Sequence, residues 1–79
     1  MFKRRFRAYA IGVDWWVTIE PLGKTDDRVM RYRWTLRSIL FFTKDGTIAP
    51  SRDVIARSYS PSVRQARAEA YRAALDACS

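Results

Sequence analysis

Hydrophobic and polar positions alternate strictly along residues 7–20. Tyr9, Ile11, Val13, Trp15, Val17 and Ile19 occupy one parity; Ala8, Ala10, Gly12, Asp14, Trp16, Thr18 and Glu20 occupy the other. A period of two over this length predicts one long strand with a single buried face. Pro21 to Asp27 then reads as a turn segment, because its Pro, Gly and Asp residues each set turn dihedrals. Alternation resumes over residues 29–42. There Met30, Tyr32, Trp34, Leu36 and Leu40 are expected inward, and Arg31, Arg33, Thr35 and Arg37 outward. Ser38, Ile39 and Phe41 break the parity, which predicts a bulge, or burial on both faces, near the strand end. Lys44-Asp45-Gly46-Thr47 is a tight turn, since Asp-Gly favours positive φ. A third strand is expected within residues 47–59, carrying Ile48, Val54, Ile55 and Tyr59. Pro50 cannot donate a ladder hydrogen bond, so this strand lies at an edge or starts after Pro50.

The period changes to that of a helix over residues 61–78. Val63, Ala66, Ala70, Ala73, Ala74 and Ala77 share one face, with Gln65, Glu69, Arg72 and Asp76 opposite. Ser62 and Gln65 have capping-box spacing, and Ser60-Pro61 is a competing start. A helix face made of Ala approaches a sheet closely when the sheet supplies the bulk, here Tyr9, Trp15, Tyr32 and Trp34. The expected fold is therefore α+β: a three-stranded antiparallel β-meander with one C-terminal α-helix packed on one face. One domain spans residues 1–79, with a basic arm at 1–6, the sheet at 7–59 and the helix at 61–78.

Composition narrows the chemistry. A 79-residue chain has room for one small core and little for an elaborate cleft. Lys plus Arg number 15 against 8 Asp plus Glu, a net charge of +7, and twelve of the cations are Arg. There is no His, and Cys78 is the sole Cys. These counts exclude a disulfide framework, a zinc cluster and His-based catalysis. Asp26-Asp27 reads as a turn former rather than a carboxylate pair, and Cys78 as a small core residue. No enzymatic activity, metal or cofactor is expected. The cationic start is followed by an apolar run, Ala8 to Val13, that ends at Asp14. That run is too short for a secretory signal, and no stretch approaches the roughly 20 apolar residues of a membrane span. The expected location is the cytoplasm, and no membrane span is expected.

Three groups of residues are candidates for binding. Arg31, Arg33 and Arg37 form a stripe on the outer sheet face, joined by Trp16 if the first two strands pair. Guanidinium groups grip phosphate in a bidentate fork, and an exposed indole stacks a base or sugar. The same stripe also fits a solvated face, with its Arg paired across strands to Asp14 and Glu20 and Trp16 packed under a loop or a partner subunit. The second group is the arm, with Lys3, Arg4, Arg5 and Arg7 beside Phe2 and Phe6, a composition that suits an anionic surface. The third is the helix start. Residues 62–75, from Ser62 to Leu75, resemble the last helix of double-stranded-RNA-binding domains, in which a basic N-terminus precedes an Ala-rich buried face. The resemblance implies that Arg64 and Arg67 sit where that family grips phosphate. The family's first helix has no counterpart in this chain.

The expected function is that of a non-enzymatic basic module contacting nucleic acid or a nucleoprotein complex. In size and layout the chain is also similar to small phage and mobile-element proteins, including anti-CRISPR proteins. That likeness implies the alternative of an inhibitor that binds and blocks a host protein machine through an acidic protein surface. A homodimer is expected on geometric grounds. Strands of about 14 residues extend roughly 45 Å, whereas a helix of about 17 residues covers roughly 25 Å, leaving Ile39, Leu40, Phe41 and Phe42 uncovered.

Overall fold

The computed structural model describes residues 7–24 and 30–78. In chain order these form β1 (Arg7–Ile11), β2 (Trp15–Lys24), β3 (Met30–Phe42), β4 (Ile48–Ser60) and α1 (Val63–Cys78). The strands make one antiparallel sheet in the order β1-β2-β3-β4. The α+β layout with a C-terminal helix on an antiparallel sheet is as expected, but the sheet has four strands rather than three.

The extra strand arises because residues 7–20 are a hairpin, not one strand. The chain reverses at Gly12-Val13-Asp14, where Gly12 takes φ +62, a left-handed value that favours Gly. Ile11 then pairs with Trp15, Tyr9 with Val17 and Arg7 with Ile19. A loop of three residues pairs odd positions with odd positions. Tyr9, Ile11, Trp15, Val17 and Ile19 thus share one face on both sides of the turn, and the alternation runs through it unbroken. Val13, expected inward, sits in the turn and is exposed.

The inner face forms the core. Val17, Ile19, Trp34 and Leu36 are buried against Ala66, Ala70 and Ala74 of α1. Tyr9, Ile11, Trp15, Tyr32, Ala56, Val63 and Ala73 pack around them. Ala77, expected on the buried helix face, is exposed. Ser62 is the helix N-cap: the Gln65 amide donates to Ser62 Oγ at 3.1 Å and the Ala66 amide to the Ser62 carbonyl at 3.0 Å. Buried Ser60 plays a different part, with its hydroxyl bonded to the Glu69 carboxylate. Cys78 is exposed rather than core, and its Sγ accepts a hydrogen bond from Trp15 Nε1 at 3.2 Å.

The far end of the sheet departs from regular pairing. The β3–β4 register shifts between Leu36 and Arg37, between Arg37 and Ile39, and between Ile39 and Phe41. These irregularities lie where parity failed in the sequence; Leu40, expected inward, lies beyond the end of the β2–β3 ladder and is 63% exposed. The β2–β3 ladder begins at the Trp15–Ser38 pair. Beyond it, β3 and β4 continue alone as a two-stranded arm. The arm ends in a tight turn: Gly46 takes φ +86, its amide donates to the Thr43 carbonyl at 2.9 Å, and the Thr43 amide donates to the Thr47 carbonyl at 2.8 Å. Asp45 accepts from the Thr43 hydroxyl and from the Thr47 amide, and these bonds hold its carboxyl below the usual carboxylate range.

Candidate nucleic-acid interface

Strand register places the outer-face side chains in cross-strand rows. One row runs Ala10, Trp16, Arg37, Val54 from β1 to β4. The next runs Ala8, Thr18, Thr35, Arg57, and a third runs Glu20, Arg33, Tyr59. Arg31, opposite Gly23, extends the face past a β2 irregularity between Pro21 and Gly23. Directly opposed side chains lie about 4.5–5.5 Å apart at Cβ, so each row is a line of touching neighbours. Ala8 and Ala10 are small, so β1 raises no wall beside the half-buried Trp16.

The charges on this face differ in availability. Arg33 Nη2 donates to both Glu20 carboxylate oxygens, at 2.9 and 3.1 Å, which neutralises it in place. The Glu20 carboxylate raises the Arg33 pKa further, through the hydrogen bond first and charge attraction second. Arg57 Nε donates to Thr35 Oγ1 at 3.3 Å, a neutral partner that orients the guanidinium and leaves its charge unmatched. Arg31 and Arg37 have no carboxylate partner among the described residues. Asp14 makes no ion pair among these residues either. Among the described residues, four Arg against one Glu leave these rows with a net charge of +3. Arg57 and Tyr59 belong to it, although the sequence reading had not singled them out as site residues. The signal was there: both alternate with Ala56, Ser58 and Ser60, the small inward residues of β4.

Other candidates lie elsewhere. Arg7 pairs with Ile19 and so projects on the helix side of the sheet. With Ala8, Tyr9, Ile19 and Arg67 it lines a cleft of about 360 Å³ between β1 and α1. The Arg67 guanidinium lies over the Tyr9 ring, 5.0 Å from its centroid, in cation–π geometry. Burial raises the Tyr9 hydroxyl pKa, and the Arg67 charge offsets part of that rise. The hydroxyl itself is buried without a hydrogen-bond partner, as is Trp34 Nε1. Arg64 is exposed one turn before Arg67 on α1. The candidates thus divide between two surfaces on opposite sides of the sheet. Arg31, Arg33, Arg37 and Trp16 come together, while Arg7, Arg64 and Arg67 form a separate group. Lys3, Arg4 and Arg5 lie outside the described residues, as do Phe2, Phe6 and Asp26-Asp27.

Among the described residues, no group of three or more His, Cys, Asp or Glu could hold a metal ion. No helix among them is long and apolar enough to cross a membrane. No family model, curated protein or solved structure matches the chain.

Proposed function

We propose that this protein is a non-enzymatic module that binds nucleic acid across its outer sheet face, by itself or within a nucleoprotein complex. The observation that carries this reading is the row in which half-buried Trp16 stands directly beside Arg37, with Arg31 and Arg57 also unmatched by any carboxylate among the described residues. Arg37 neutralises a phosphate while a base stacks on Trp16. A gently pleated face with an indole and spaced guanidiniums suits a single strand, whose bases are free to unstack, better than a duplex. From Trp16 to Tyr59 the face spans two strand spacings and four residues, roughly 16 Å by strand geometry. That length accommodates a short single-stranded segment.

The test is fluorescence anisotropy with a labelled single-stranded oligonucleotide at several salt concentrations. Each phosphate neutralised on a single strand contributes about −0.7 to the slope of log K against log salt. Changing Arg31, Arg37 and Arg57 to Ala removes up to three contacts, so the slope flattens by up to about 2. Trp16→Ala weakens binding by about 1–3 kcal/mol and leaves the slope unchanged. Wild-type affinity and slope in the triple variant would reject this face as the site. A partner retained from lysate after nuclease treatment and at high salt would instead favour an inhibitor of a protein machine.

A further inference from the structure

We infer that the two-stranded arm of β3 and β4 is the surface on which a second copy of this chain docks. The arm carries Leu40, Phe41 and Phe42, each 48–63% exposed. Val13, 68% exposed, sits at its base, where the Ile39 amide donates to the Asp14 carbonyl at 2.7 Å. Leu40, Phe41 and Phe42 are consecutive, so both faces of the arm are apolar. The arm is nevertheless well formed, because its tip is tied by the Thr43, Asp45 and Thr47 bonds. A two-stranded ribbon is marginal in water without cover on at least one face, and neither β2 nor α1 extends far enough to supply it.

Two observations point to a second copy as the cover. The first is charge. The chain carries +7 overall, but residues 39–53 hold only Lys44 and Arg52 against Asp45 and Asp53, a net of zero. Two arms therefore meet without the repulsion that two basic faces would feel, and an anionic ligand gains nothing there. The second is the form of the edge. Pro50 and the charged pair Arg52-Asp53 on the outer strand block strand addition. The copies therefore meet through side chains, in an isologous contact of the same patch with itself.

Sedimentation equilibrium over about 1–100 µM tests this independently of nucleic-acid binding. The wild type should reach twice 9.2 kDa. Changing Phe41 and Phe42 to Ser should raise the dimer Kd by about a hundredfold or more. Changing Tyr71 and Leu75 to Ser, on a separate exposed apolar patch at the surface of α1, should leave it unchanged. Circular dichroism confirms that each variant is folded. Should the arm variant fail to fold, amide exchange on the wild type decides: residues 39–42 must gain protection as concentration rises. A mass of 9.2 kDa at every concentration overturns the inference. So does a dimer that survives the arm variant, or one that the α1 variant dissolves.

Discussion

Replacing Glu20 by Gln should strengthen nucleic-acid binding at little cost to the fold. In the wild type, Glu20 occupies Arg33 through two contacts at 2.9 and 3.1 Å, on the row next to Arg57. Gln keeps the shape and one acceptor but removes the charge, so the outer face rises from +3 to +4. Side chains 33% and 37% exposed place this pair in the surface class, where ion pairs contribute about 0–1 kcal/mol. At roughly 4–8 °C per kcal/mol for a domain of this size, the melting temperature should fall by no more than about 8 °C. The freed Arg33 adds one phosphate contact, which steepens the salt slope by about 0.7. Between 50 and 200 mM salt, that contact makes the variant lose about 2.6-fold more affinity than the wild type. Anisotropy titrations at four or five salt concentrations resolve a difference of this size. An unchanged slope, with affinity equal to the wild type at low salt, would show that the ligand does not reach the Glu20–Arg33–Tyr59 row, and the proposed path across the sheet would be wrong.

Three further expectations concern stability. Leu36 is fully buried at the centre of the core, so Leu36→Ala should cost about 2–5 kcal/mol, a large share of the roughly 4–12 kcal/mol expected for 79 residues, as read by urea denaturation. Ser62→Ala should lower stability by about 1 kcal/mol through loss of the N-cap; Ser60→Ala should act differently, unpairing Glu69 without loosening the first-turn amides, which amide exchange at Gln65 distinguishes. Asp45 has a depressed carboxyl pKa in the folded state, so its contribution is full above the unfolded carboxylate range near pH 4 and is lost as pH falls through the lower folded value. Acid titration followed at the Thr47 amide should therefore show the arm's turn intact at pH 5 and loosening only below about pH 4, and loosening above pH 5 would contradict this.

Element types were readable because each period was strong. The Ala face of the helix, the Ser62 cap, the edge position of the Pro50 strand and the Asp45-Gly46 turn all follow from local chemistry. Strand count was not readable, for a definite reason. Register parity is blind to a hairpin loop with an odd number of residues, and Gly12-Val13-Asp14 is such a loop. Gly12 was the only local sign of it, and Gly on an outward position fits a continuous strand equally well. Leu40 shows a second limit: parity assigns it a face, but whether anything covers that face depends on how far β2 and α1 extend, and the β2–β3 ladder stops at Ser38. The outer stripe of Arg31, Arg33 and Arg37 was legible from parity alone. That Glu20 would claim Arg33 rather than Arg31 or Arg37 was not, because the choice depends on the β2–β3 register. Arg57 and Tyr59 were missed because β4 was read for its apolar residues, while its inward positions are Ala and Ser. Arg7 was grouped with the basic arm by its charge, whereas its pairing with Ile19 commits it to the opposite side of the sheet.

The most direct test of the account is an amide and indole chemical-shift map of the ¹⁵N-labelled protein titrated with a short single-stranded oligonucleotide. The outer face predicts saturable shifts at the Trp16 indole and at the amides of Thr18, Thr35, Arg37 and Arg57, with Arg64, Arg67 and Ala70 unmoved. Shifts confined to Arg7, Arg64 and Arg67, or no saturable shifts at low salt, would contradict it.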